Sequence, residues 1–232
     1  MTVLVSELLA STSGPLLDPA FRRWDEATRF AILKSAQREI VRLKPSASTD
    51  YADITVVAGS RQAIPTTALR LLDVSRNMGT DGSTPGQPIT VIDRTVLDQM
   101  FPDWHSETVA AATPVEHFAF DDRAPKSFWV YPRRPDANWH IEALVSTPPA
   151  DIVYSGSYDI DITLDDIWQV AIEDYIIARC LSGPKGREVP GATQLAVAHM
   201  QSFYAACDRE DMIKLLVTPN RRRPDPSPTK VF

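Results

Sequence analysis

The chain is poor in the residues that build catalytic and metal centres. It holds two cysteines and four histidines among 232 residues. Cys180 and Cys207 lack zinc-site spacing, and each falls among apolar neighbours. Both read as buried thiols of a reducing compartment rather than as a disulfide. His105, His117, His140 and His199 are scattered, with no His-Glu-x-x-His, Gly-x-Ser-x-Gly or Cys–His arrangement. The expectation is therefore a protein that is not an enzyme, with no cofactor and no metal. No apolar run approaches the ~20 residues of a membrane span. The opening MTVLVSELLAST lacks a basic n-region, so no signal peptide is read and no membrane partner is expected. Excess positive charge is missing too. A net charge of −6 argues against tight wrapping of nucleic acid, though not against lining a passage for it.

What the chain does have is helix at both ends. Phe30, Leu33, Ala36, Ile40 and Leu43 recur every three or four residues and line one face of a helix over 25–45. Arg29, Lys34, Arg38, Glu39 and Arg42 fall mostly on its other faces. Asp25 reads as its N-cap and Pro45 as its stop. Before it lie a short amphipathic segment over 2–11, ended by Ser13-Gly14-Pro15, and an Asp18-Pro19 pair that reads as N-cap plus N1 proline of a further helical turn. Downstream, Thr163, Asp165 or Asp166 caps a helix through about Leu181, with Ile167, Trp168, Ala171, Ile172, Tyr175, Ala178 and Leu181 as its apolar face. A last helix starts near Ala192, with Leu195, Ala196, His199, Phe203 and Ala206 on one side, breaks near Asp208 and continues through Met212 to Val217.

Between these helices the pattern is β. Residues 53–57 and 61–64 read as a hairpin across Gly59-Ser60, followed by a strand over 69–77. A Gly- and Pro-rich turn over 77–87 leads to β-branched residues 89–92. Asp93 caps a short helix over 94–100, with Val96, Leu97 and Met100 inward. A second hairpin spans 116–131 around the turn Asp121–Pro125, and 139–145 alternates as a half-buried strand.

Helices first and last with strands between give an α+β fold. The expected architecture is an antiparallel bundle of the N- and C-terminal helices carrying an inserted antiparallel β barrel or sandwich. Its parts are 1–45, a β-rich insertion over 46–162, helices over 163–217 and an extended tail over 218–232. Phe30, Leu33, Ile40, Leu43, Trp168, Ile172, Tyr175 and Phe203 are the expected bundle core. Trp24 and Trp129 also read as core, and Trp104 and Trp139 as more open to an interface role.

Two motifs fail on inspection. Asp159-x-Asp161-x-Thr163-x-Asp165 opens like a calcium loop, but Leu164 and Val170 stand where glycine and glutamate are needed. It is read instead as helix-capping. Gly79 to Gly86 lacks the Gly-Lys-Ser/Thr of a phosphate loop and reads as a surface turn. The tail is the remaining candidate. Arg221, Arg222 and Arg223 precede Pro224, and Lys230 and Phe232 close the chain. The arginines suit phosphate contacts with DNA or docking into an acidic groove, and the flanking prolines favour an extended docking peptide.

Several blocks together carry a family likeness. They are Ala36 to Pro45, Leu69 to Asn77, Gly79 to Gly86, Ile92-Asp-Arg94 with Pro102-Asp-Trp104, His117 to Asp122, Phe128 to Pro132, and the helix from Asp165. In order and spacing they resemble tailed-bacteriophage head-to-tail adaptor (connector) proteins of the tail tubular protein A-like kind, over about Trp24 to Asp208. The resemblance implies a structural virion protein, made in the host cytoplasm. It implies a homo-oligomeric ring, a dodecamer in such proteins, below the portal protein. The ring would extend the channel for genomic DNA and join a tail or nozzle protein. The residues themselves leave an alternative: a nucleic-acid-binding accessory protein that uses the C-terminal arginines.

Overall fold

Asp25 starts the longest helix of the described residues as its spacing predicts. Its carboxylate accepts the Thr28 backbone N–H at 2.8 Å, and α3 runs Glu26–Leu43. The structure, a computed structural model, describes residues 3–107 and 114–209. These form two units, one of residues 1–44 with 151 onward and one of residues 45–150.

In the first unit α1 (Val5–Ser11) and the single turn α2 (Ser13–Leu16) precede α3, so the Ser-Gly-Pro expected as a stop is itself helical. A 3-10 turn over Asp166–Trp168 leads into α5 (Gln169–Ser182). Another, Pro184–Glu188, precedes α6 (Ala192–Ala206). α5 packs against α3 and α6, and α1 against α3 and α5. Phe30, Leu33, Ile40, Leu43, Trp168, Ile172 and Phe203 are buried. Tyr175 is half-buried, its ring 4.9 Å from that of Phe203. Each such side chain contributes on the order of 1.5–3 kcal/mol on burial. The segment 151–165 runs beside α1. Val5 and Ser6 donate to the carbonyls of Ile160 and Tyr158, and Leu4 bridges Asp161.

Other expectations fail in this unit too. Arg29, placed by the pattern away from the apolar face, is wholly buried. Asp18 starts no helical turn. Its carboxylate instead accepts the backbone N–H groups of Arg22, Arg23 and Trp24 at 2.9–3.1 Å. Ile167 lies 79% exposed rather than in the core, because the 3-10 turn ahead of α5 shifts the register by which it would have faced inward.

The second unit carries seven strands, β1 (Thr49–Val56), β2 (Gly59–Ala63), β3 (Arg70–Gly79), β4 (Thr90–Val91), β5 (His117–Phe120), β6 (Ser127–Arg134) and β7 (Trp139–Ser146), with α4 (Arg94–Met100). They form two sheets, β1-β7-β3 and β2-β6-β5-β4, antiparallel except for the β4–β5 pair. Among the described residues neither sheet closes into a barrel. β5 and β6 pair as the expected hairpin, Phe120 opposite Phe128. β1 and β2 do not pair. They diverge into different sheets because the Gln62 amide takes both backbone groups of Val57, donating to its carbonyl at 2.9 Å and accepting its N–H at 2.7 Å. The two sheets share one core, with Val56, Val74, Ile141 and Ala143 from the first and Phe118, Phe128 and Val130 from the second. On α4 only Leu97 is buried, against Trp104 and Ala119, and Val96 and Met100 point outward, contrary to expectation.

Candidate interaction surface

Each of the scattered histidines is tied to a partner within its own unit. Nδ1 of His105 lies 2.8 Å from Ser60 Oγ, and its ring packs on Trp104. Nδ1 of His117 lies 2.6 Å from Thr90 Oγ1, that of His140 2.8 Å from Asp53, and that of His199 2.7 Å from Asp174. Among the described residues no group of three or more His, Cys, Asp or Glu is placed to hold a metal ion. Cys180 and Cys207 are buried free thiols, and burial pushes both up to about 11, so neither is a nucleophile near neutral pH.

The acidic run before α5 is a structural joint. Asp159 accepts the hydroxyls of Ser6 and Ser157 at 2.7 and 2.9 Å. Asp165 occupies the N-cap position of the 3-10 turn, but its side chain makes no capping hydrogen bond, which corrects the capping role expected of it. The turn is held from across the fold. Buried Gln37 of α3 accepts the N–H groups of Thr163 and Leu164 and the Thr163 hydroxyl at 2.9–3.2 Å. In the Gly79–Gly86 loop, the Asp81 carboxylate accepts the hydroxyls and backbone N–H groups of Ser83 and Thr84. These bonds, those of Ser83 foremost, hold Asp81 down at about 2. The loop is an Asx-type turn.

Two buried polar groups fix the surfaces, and sequence pattern missed both. Arg29 donates through Nε to Trp24 O, through Nη1 to Leu9 O, Thr12 Oγ1 and Ser13 Oγ, and through Nη2 to Asp18 O and Oδ2, at 2.8–3.3 Å. It ties the first twenty-five residues to α3. Burial pushes the Asp18 carboxyl up. The N–H groups of Trp24, Arg22 and Arg23, with Arg29, outweigh that and leave it lowered. In the second unit, Asn77 donates to the carbonyls of Gln87 and Val115 and accepts from Val115 N–H and Trp139 Nε1. The only advance signal was the type of residue: a buried Arg or Asn at one position of an apolar period.

Trp24 and Trp168 are buried, and Trp129 is half-buried beneath Arg94. Trp104 is buried, its indole N–H donated to Asp98 at 2.9 Å, so it offers no interface. Trp139 is half-buried against Asn77. The outward apolar side chains are others, among them Leu17, Val153, Ile167 and Val170 in the first unit, and Tyr51, Val91, Met100 and Phe101 in the second. α6 carries no Asp, Glu, Lys or Arg in its 15 residues, and Leu195 and Ala206 face solvent. Arg221, Arg222, Arg223, Pro224, Lys230 and Phe232 lie outside the described residues, as does the expected continuation of the last helix through Met212 to Val217; α6 itself ends at Ala206, just before the expected break near Asp208. No described helix is long and apolar enough to cross a membrane.

No curated protein matches the sequence. A family model does, that of the SU10 adaptor protein, over residues 1–226. The matched range takes in both units and the arginine cluster. A chain of mixed α+β build, matched over nearly its whole length, belongs to the SU10 adaptor protein family of phage adaptors, a structural family.

Proposed function

We propose that this protein is the head-to-tail adaptor of a tailed-phage virion, a ring seated below the portal that extends the DNA channel and joins portal to tail or nozzle. The observation that carries this reading is the family match over residues 1–226. The tail tubular protein A-like likeness of the sequence blocks is its finer form. The fold supports assembly in two ways. Ile167 and Val170, three residues apart where the 3-10 turn enters α5 and both outward, offer an apolar spot that a partner in the complex would cover. A net charge of −6 per copy, multiplied around a ring, gives an acidic passage through which DNA slides without adhering.

The tail over 218–232 is the portal-docking element in this reading, with Arg221, Arg222 and Arg223 pairing to acidic groups on the portal. Deleting 218–232 leaves the described fold untouched. Portal attachment, measured by co-sedimentation, falls at least tenfold. Full-strength attachment by the truncated chain would overturn the tail's role.

A further inference from the structure

β1 is an open sheet edge. It pairs with β7 alone, in an antiparallel register that runs unbroken from Thr49 opposite Ser146 to Val56 opposite Trp139. Hydrogen bonds beyond its two ends show which way its backbone faces. The Ser48 carbonyl accepts the Thr147 N–H, so Ser48 and the even-numbered residues after it turn toward β7. Val57 turns the other way, its N–H and carbonyl both held by the Gln62 amide. The odd-numbered residues between, Thr49, Tyr51, Asp53 and Thr55, therefore aim their backbone groups off the sheet. Those N–H and C=O groups have no partner among the described residues, and all four residues are exposed.

Sheet edges are normally blunted by shortness, bulges, proline, lysine or a covering segment, because an open edge templates another strand. The other edges here are blunted. β4 has two residues, and β2 has five, with the Gly59 carbonyl taken by the Gln62 amide. β3 shifts register three times, and Gly86, Gln87, Ile89 and Pro125 bond to its backbone. β1 has eight residues and no bulge, proline, lysine or arginine. Its charge is of one sign, from Asp50 and Asp53. Asp53 meets the ring of His140, and Asp50 meets no cation among the described residues. Tyr51, 62% exposed and opposite Leu144, puts an apolar surface beside them. Past Thr55 the edge opens into a cleft of about 380 Å³, lined by Thr55, Val57, Arg61, Gln62, Ala63 and Ser127, with room for the end of an incoming strand.

We propose that the free edge of β1 docks an extended, basic segment of another protein, which adds a strand to the sheet. The guest's backbone pairs with the open groups of Thr49, Tyr51, Asp53 and Thr55. Lysine or arginine side chains of the guest lie beside Asp53 and Asp50, and an apolar side chain lies beside Tyr51. A second copy of this chain fits less well. β1 laid on β1 brings together two strands whose only charges are aspartates, and β2, which carries Arg61, is short and partly filled. In the adaptor reading a neighbouring portal or tail protein supplies the segment, but the open edge belongs to the folded unit and does not rest on that reading.

The probe is the blocked peptide acetyl-Thr-Val-Lys-Thr-Val-Lys-Thr-amide, whose lysines in antiparallel register face Asp53 and Asp50 and whose second valine faces Tyr51. A counterpart has glutamate for each lysine. Both are titrated to millimolar concentration into the full-length protein and followed by backbone amide NMR. Two variants accompany them. Tyr51→Pro removes an outward N–H that the fold does not use, at an edge position where proline is tolerated. Asp50→Lys reverses a charge at an exposed site and leaves every backbone group in place. The expected result is saturable shifts at Thr49, Tyr51, Asp53 and Thr55 with the lysine peptide. Binding is at least tenfold weaker for the glutamate peptide and for Tyr51→Pro, and at least threefold weaker for Asp50→Lys. No saturable shift, equal binding of the two peptides, or binding unchanged in both variants would overturn the proposal. Shifts at the same amides that grow with protein concentration before any peptide is added would also overturn it, by giving the edge to a second copy. Portal attachment is measured separately, so failure at the edge and failure of the adaptor reading are distinct results.

Discussion

Arg29→Met removes the guanidinium that joins the first twenty-five residues to α3. Methionine fills comparable length and keeps helix propensity, so the loss reports the polar node rather than a cavity. Arg29 makes six hydrogen bonds, one to the carboxylate of Asp18, and its ring contact with Phe21 is 4.2 Å. Breaking a buried pair by removing one partner costs about 3–5 kcal/mol, because the remaining charge and carbonyls stay buried without their donor. Against a total of about 5–15 kcal/mol this is a large fraction. At about 2–4 °C per kcal/mol for a chain of this size, it lowers Tm by about 6–20 °C. The assay is urea unfolding at pH 7 followed at 222 nm, where the signal comes mainly from the helical unit. Arg29→Met combined with Asp18→Asn should cost less than the sum of the single changes, since both act on one contact. The sign with pH also follows. Asp18 has a lowered folded pKa, so its contribution is present above the unfolded value of 3.8 and is lost as pH falls through the folded value. A loss below about 1 kcal/mol for Arg29→Met, or additive single changes, would refute the reasoning.

Three further outcomes are expected. Asn77→Ala orphans the Val115 N–H and carbonyl and the Trp139 indole. It should cost about 3 kcal/mol, read from the unfolding of the β unit by near-UV dichroism. Gly186→Ala forces the 3-10 turn off the Leu181 carbonyl and should destabilise by about 1–3 kcal/mol, with the turn's amides becoming less protected from exchange. Asp81 should titrate at about 2 by carboxyl NMR. Its turn therefore contributes at pH 4, above the unfolded value of 3.8, and gives way only as pH falls toward 2.

The periodic elements were legible in the sequence because local rules decide them. Asp25 caps α3 and Asp93 caps α4, each accepting a backbone N–H two or three residues on. The β5–β6 hairpin follows from two apolar strands about the Asp121–Pro125 turn. What local rules could not show was pairing across distance. β1 looks outward to β7, 85 residues away at the Thr55–His140 pair; the Gln62–Val57 bonds within the β1–β2 segment keep β1 from β2, but nothing there names β7 as its partner. Burial of Arg29 was hidden for the same reason. Its acceptors include the α1 carbonyl of Leu9, the Thr12 and Ser13 hydroxyls and Asp18, gathered only once the N-terminal segment folds back. The exposure of Ile167 turned on a 3-10 register that periodicity at 3.6 residues does not resolve. The candidate surface was legible only as composition, three arginines and four prolines at the tail.

The most direct test of the adaptor reading is the mass of the full-length protein in solution, alone and mixed with its phage's portal. The account predicts a ring of this chain on the portal, stable to dilution and lost when residues 218–232 are removed. A chain that ignores the portal and instead binds duplex DNA with a steep salt dependence would contradict it, and would assign the arginine cluster to nucleic acid.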